Sequence, residues 1–228
     1  MRFSMGTASL PAGLLAGLLS GAVPGEKPAP QLPSPSARLV ADRDPAASAS
    51  LPAPAAMTTP QARLFPDAGA IPNNPRLPLL VYAGAVPADA GAIEALFRRN
   101  GWRPAWRYGV YPFPHYHSTA HEVLGVYRGS ARIRLGHDAG EVFEVRAGDV
   151  IVIPAGVGHQ NLGSSPDFHV VGGYPDGQSA DLLRGEPGER PAADGRIAAV
   201  PLPSGDPVFG PDGPLAREWK LLAPDKSR

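Results

Sequence analysis

The chain of 228 residues contains no cysteine. Disulfides and thiolate metal ligands are therefore excluded, and a cytoplasmic location is expected. Charge of one sign is not in excess either: Lys and Arg number 21, Asp and Glu 21, and no basic run gathers on any segment. The electrostatic footprint of a nucleic-acid or anionic-membrane binder is missing, so neither partner is expected. Long apolar runs are also lacking, because the stretch from Leu10 to Leu19 is broken by Pro11, Gly13 and Gly17 and is too short to span a bilayer. What abounds instead is proline, at 29, and glycine, at 27. Much of the chain must be turn and irregular backbone, and one core is the expected organisation.

Residues 1–56 read as an extension apart from that core. Leu14, Leu15, Leu18 and Leu19 behind Arg2, with Ser20-Gly21-Ala22 as a small-residue cleavage site, form a weak export signal, so residues 1–22 leave export as the alternative location. From Pro24 to Pro60 the sequence is dominated by Pro, Ala and Ser and is expected to be disordered. A translation start at Met57 is the other reading, since ordered-looking sequence begins directly after it. Residues 57–228 are then expected to form a single domain.

Within that domain Leu79 to Tyr82 reads as a strand, and Ala88 to Arg99 as a helix with Ile93, Leu96 and Phe97 on one face and Asn100-Gly101 as its stop. Strands are expected at Glu122 to Tyr127, Ala131 to Leu135, Glu141 to Val145, Val150 to Ile153 and Phe168 to Gly173, separated by Gly-containing turns. Such short, evenly spaced strands predict an all-β, two-sheet or closed architecture. Beyond Pro175 the chain is rich in Pro and Gly; Ile197 to Leu202 is a strand candidate and Leu215 to Leu222 a strand or a turn of helix. This segment is expected to wrap the barrel as an arm, or else to contribute to a homodimer.

Three of the six histidines cluster with a carboxylate in GVYPFPHYHSTAHEVLGVYRG, residues 109–129. His115 and His117 are two apart, so on extended backbone both leave the same face and can share one ion. Glu122 has the wrong parity for that face on an unbroken strand, but a turn or bulge at Ser118-Thr119-Ala120 would re-aim it. His121 stands beside it and would replace it after a one-residue shift. In GDVIVIPAGVGH, residues 148–159, the run Val150 to Ile153 ends in a Pro/Gly turn that leads to His159, the fourth ligand candidate. Tyr111, Gln160 and Asn161 flank these ligands and are candidates for outer contacts to them or to a substrate.

These two stretches resemble the two motifs of the cupin superfamily. Gly109, His115, His117, Glu122 and Gly129 fit the first; Gly148, Pro154, Gly156 and His159 fit the second, in which Gly163 stands where an Asn is usual and Asn161 lies two residues early. IPNNPRLPLLVY and RGEPGERP add a resemblance to a bacterial group of small single-domain cupins with no settled activity. The resemblance implies an antiparallel double-stranded β-helix, or jelly roll, with one flanking helix and a metal inside it held by His115, His117, Glu122 and His159. Such a mixed nitrogen and oxygen set suits Fe(II) or Mn(II), with Ni and Zn as the other options, and leaves two open positions. The implied activity is that of a metal-dependent enzyme on a small oxygenated metabolite, a dioxygenase first and an isomerase or decarboxylase next. The alternative is a non-catalytic cupin that binds or senses a small molecule through the same ion, and fold does not choose between them.

Overall fold

A computed structural model describes residues 58–220. Residues 1–56, and with them the readings of an export signal or a disordered extension, lie outside the described residues. Among the described residues nine strands form two antiparallel sheets. The larger takes the order β1 (Gln61–Arg63), β2 (Leu79–Tyr82), β7 (Val150–Ile153), β4 (Glu122–Arg128), β9 (His169–Pro175), β3 (Trp102–Tyr108). The smaller takes the order β6 (Glu141–Arg146), β5 (Ser130–Leu135), β8 (His159–Ser164).

Side-chain parity divides the core in two. Leu79 and Val81, Leu124 and Val126, Ile151 and Ile153 point between the sheets, where they meet Ile133, Leu135, Phe143 and Val145 of the smaller sheet. Their alternates Leu80, Tyr82, Val123, Val150, Val152 and Val171 point the other way. That outer face is covered too, by Ile93 and Phe97 of helix α1 (Ala90–Arg99) and by Leu215 and Trp219 near the C terminus. Central strands buried on both sides need continuous apolar runs, which explains the unbroken Val-Ile-Val-Ile of β7. The smaller sheet is covered on one side only, so Arg132 is exposed while Ala131, Ile133 and Leu135 are buried.

Helix α1 begins at Asp89, whose side chain accepts a hydrogen bond from Ala92 N, and ends at Asn100. It lies so close to β4 that a Cβ on Gly125 would stand 2.7 Å from Ile93 Cγ2. Any larger residue there would lift the helix off the sheet.

The C-terminal residues differ from expectation. Ile197 to Leu202 is not a strand: residues Ala192–Ala199 form helix α2, because Ala193 and Ile197, four apart, pack together against Ile71 and Tyr116. Pro214–Glu218 form the short helix α3, started by Pro214 at its first turn. The domain thus carries three α-helices among the described residues rather than one, since the arm folds helically where it has a surface to pack on. Buried Asp206 fastens the arm by accepting from Tyr82 Oη, Val208 N, Phe209 N and Leu215 N. Indole donors add two more ties, Trp102 to Gly205 O and Trp219 to Pro78 O, both at 2.9 Å.

Candidate metal centre

Residues 111–117 extend the smaller sheet beyond β8 as an irregular strand. His115 and His159 exchange backbone hydrogen bonds of 3.2 and 2.9 Å, and Asn161 N donates to Tyr111 O at 2.8 Å. Pro112 and Pro114 have no N–H to give, so the pairing stays at isolated bridges. The two-residue period nevertheless holds. Tyr116 turns away into the cluster with Ile71 and Ile197, its hydroxyl donating to Glu189, while His115 and His117 face the space between the sheets.

The turn at Ser118-Thr119 then resets the phase. Ser118 N and Oγ both donate to the Asp181 carboxylate, and Thr119 Oγ1 donates to Ser179 O. Downstream, Glu122 falls in step with inward Leu124, and His121 in step with outward Val123. His121 accordingly lies 4.8 Å from the Trp219 ring in the outer layer and accepts from Ala155 N at 3.0 Å. The structure brings Glu122 to the histidines and takes His121 away from them.

His159 is delivered by the turn at residues 154–158. Gly156 has φ of +91°, and a Cβ there would lie 2.6 Å from Asn73 O, so the motif glycine is required twice over. Asn73 and Asn74 hold the turn: Asn73 accepts from Gly158 N and donates to Gly136 O, and Asn74 donates to Ala155 O. By composition Pro72-Asn73-Asn74-Pro75 is a local turn and no more. Its amides in fact support a ligand loop more than 80 residues away.

At the centre, His115, His117 and His159 are all buried and offer ligand atoms within 4.8 Å of one another. Each Nδ1 faces a backbone carbonyl: Phe113 O at 3.1 Å for His115, Val157 O at 3.1 Å for His159, and Asp181 O for His117. A carbonyl only accepts, so each Nδ1 must carry the hydrogen, and in the neutral ring each Nε2 is left as a lone pair. Glu122 sits among these lone pairs, Oε1 3.5 Å from His117 Nε2 and Oε2 3.2 Å from His159 Nε2. Oε2 is buried without a donor. Acceptors packed against acceptors away from water call for a cation between them. The donor set therefore fits a divalent metal ion, and the three imidazoles together can hold one.

The electrostatics of His115 agree, while without an ion His117 and Glu122 compete for a proton instead. Burial, aided by the neighbouring His159 and His117, pulls the His115 pKa down to about 2, so it stays neutral and open to a metal at ordinary pH. Burial also works to lower His117, but the Glu122 carboxylate prevails and raises it. Burial likewise opposes the Glu122 charge, yet His117 and His159 hold its pKa below the usual carboxylate range.

Among the flanking candidates, Tyr111 stands edge-on to His115 at 5.2 Å. Asn161 lies inward, opposite Ile133, but its side chain is engaged with Gly163 N and Ser164 Oγ. Gln160 pairs with outward Arg134 and donates to Pro112 O. Neither amide bonds a ligand histidine. Two contributors were not foreseen. Asp181, through its carbonyl, fixes His117. Tyr174 shares the inward phase of Val170, lies 6.2 Å from the His117 ring, and accepts from Trp106 Nε1 at 3.1 Å. Burial, then the Glu122 charge, raises its pKa, so it remains a proton-bearing phenol beside the carboxylate.

Comparison with known proteins identifies the family. The cupin family model matches residues 108–178. An uncharacterized Bacillus subtilis protein, YjlB, is 45% identical over 159 residues, covering 70% of this chain and 96% of its own length. The chain belongs to the cupin family. Among solved structures, this cupin is similar to a double-stranded β-helix protein from Klebsiella pneumoniae, at 17% identity and a TM-score of 0.27 over 55% of this chain and 80% of that one. It is also similar to procruciferin, an 11S globulin from Brassica napus, at 18% identity and a TM-score of 0.31 over 51% of this chain and 30% of that one. Within the cupin, no helix among the described residues is long and apolar enough to cross a membrane.

Proposed function

We propose that this cupin is a metal-dependent enzyme in which His115, His117, Glu122 and His159 hold one divalent ion, Fe(II) or Mn(II) before Ni or Zn, and that it acts as a dioxygenase on a small oxygenated metabolite. The observation that carries the reading is the buried Glu122 Oε2 with no donor, surrounded by imidazoles whose Nδ1 hydrogens are already spent on carbonyls. An ion bound there would supply Lewis-acid polarisation of an oxygen ligand or activation of dioxygen. The protein's part is to keep the ligand shell rigid and dry. Three carbonyls lock the imidazole orientations, and beside Glu122 the inward face carries apolar Leu124 on the same strand and Ile153 opposite on β7. Tyr174, its oxygen already engaged by Trp106, has an O–H placed to hydrogen-bond Glu122 or an incoming ligand.

The test is oxygen uptake by the full chain after anaerobic loading with Fe(II), across a panel of hydroxy acids, keto acids and diols. Uptake that depends on substrate and disappears in His159→Ala supports a dioxygenase. Metal binding and substrate binding without oxygen uptake, and without isomerisation or carbon dioxide release, would replace it with a ligand-binding or sensing role.

A further inference from the structure

Tyr111, Phe113, His115 and His117 alternate along one segment, so the ligand-bearing face continues outward into an aromatic pair. The rings of Tyr111 and Phe113 stack at 4.6 Å, and both meet His115 edge-on, at 5.2 and 5.8 Å. The arm runs alongside. Tyr116 and Leu183 exchange backbone hydrogen bonds of 2.9 and 3.0 Å and point together into the cluster with Ile71. Opposed residues share a side, so Leu182 and Arg184, on either side of Leu183, belong to the histidine-bearing face. The Arg184 guanidinium carbon indeed lies 4.3 Å from the Phe113 ring centre, which places it no farther than about 10 Å from the His115 ring.

This arginine is exposed, and among the described residues it has no ion-pair partner. None of the nearby acids pairs with it: Glu186 forms no ion pair with it, the Asp181 carboxylate accepts from Ser118 N and Oγ, and the Glu189 oxygens accept from Arg184 N, Gly185 N and Tyr116 Oη. An arginine over a ring needs no ligand for its own stability, since such a contact at an exposed site is worth about 0.5–1 kcal/mol. Its position is what matters. A free guanidinium stands at the rim of a centre that, with three neutral imidazoles and one carboxylate around a divalent ion, is itself net positive. Both charges favour the same kind of guest, and the exposed Leu182 and the aromatic pair offer it an apolar flank.

We infer that the centre takes small organic acids, with oxygen donors at the metal and a further carboxylate paired to Arg184 against Phe113. This rests on the metal-binding reading above and adds the substrate class. The experiment is calorimetric titration of the Mn(II)-loaded full chain with 2-hydroxyglutarate and with 2-hydroxypentanoate, which has the same carbon chain but lacks the second carboxylate. The diacid should bind about tenfold tighter, the worth of one charge-assisted pair. In Arg184→Gln that preference should vanish, with Mn(II) content and affinity for the monoacid unchanged. Equal affinities in the parent chain, a preference that survives in Arg184→Gln, or a loaded protein that binds neither acid would overturn the assignment of Arg184 and leave the metal centre standing. Failure of the chain to take up Mn(II) would remove both.

Discussion

Replacing Glu122 by Gln keeps shape and removes charge, and the consequences for metal binding and for stability run in opposite directions. In the metal-free protein the carboxylate faces imidazole lone pairs, with Oε2 3.2 Å from His159 Nε2 and no donor. A Gln amide in its place donates to that nitrogen. Relief of one buried, unsatisfied acceptor is worth about 1–3 kcal/mol, and at ~2–4 °C per kcal/mol for a domain of this size that is a rise in Tm of several degrees. A proton on His117 offsets part of this at low pH, because Glu122 raises the His117 pKa. The sign follows. A group raised on folding contributes stability that is present below its unfolded value of about 6.5 and lost as pH rises through its folded value. Metal-free parent protein should therefore weaken on the alkaline side, and Glu122→Gln should not. Urea denaturation in chelator at pH 7 and pH 9 reads both effects: the variant gains on the parent as pH rises and is the more stable protein at pH 9, while its metal affinity is lower at both. A variant less stable by the same margin at both pH values would show that Glu122 has its donors without a cation, and the argument for the centre would fail.

Three further outcomes follow from other contacts. His121 is buried with its pKa lowered to about 4 by desolvation, so its contribution is present above about 6.5 and lost as pH falls toward 4; His121→Asn, which keeps an acceptor for Ala155 N, should flatten the acid limb of a urea-monitored pH profile and leave metal content unchanged. Asp181→Ala removes the carboxylate that clasps Ser118 and so loosens the carbonyl that orients His117; metal affinity by competition with a chelator should fall about 10- to 100-fold, with only a small change in thermal stability. Asp206→Ala leaves four donors without their acceptor, three of them buried (Tyr82 Oη, Val208 N and Leu215 N) and Phe209 N part-buried; a loss of about 3 kcal/mol or more in urea is expected, and a loss under 1 kcal/mol would mean the arm is held mainly by Leu215 and Trp219.

Where the sequence was legible, a local pattern matched a local cause. Strands β2 and β7 could be read to the residue because burial on both faces leaves an unbroken apolar run with hard stops at Pro78 and Pro154. Helix α1 showed its face and its end, though the cap at Asp89 shortened its start by two residues. Strand β8, His-Gln-Asn-Leu-Gly-Ser, has no alternation to read because its inward positions carry a metal-ligand candidate and an amide rather than apolar groups. Strand β3 was hidden by Pro104, tolerated only because the strand is at an edge and bulges between Pro104 and Trp106. In α2, Ile197 near Val200 and Leu202 suggested a strand, but the partner that decided the matter was Ala193.

The site shows the same division. Spacing grouped His115 and His117, the Pro/Gly turn of the second motif added His159, and between Glu122 and His121 the resemblance to the first motif favoured Glu122 without a physical reason. The decision came from the phase in which β4 leaves the Ser118 turn, and that phase is set by Asp181, 63 residues away. Tyr174 and Arg184 were equally invisible, since each meets the centre only through pairing across strands or along the arm.

The central claim is that these side chains enclose a metal ion, and elemental analysis of the full chain, purified without a chelator or an affinity tag, tests it most directly. The account predicts about one equivalent of iron or manganese per chain, absent from His115→Ala and His159→Ala, both of which keep the near-ultraviolet circular dichroism of a packed core. A parent chain that holds no metal and takes up none on anaerobic reconstitution, or a His159→Ala protein that binds it as fully as the parent, would contradict it.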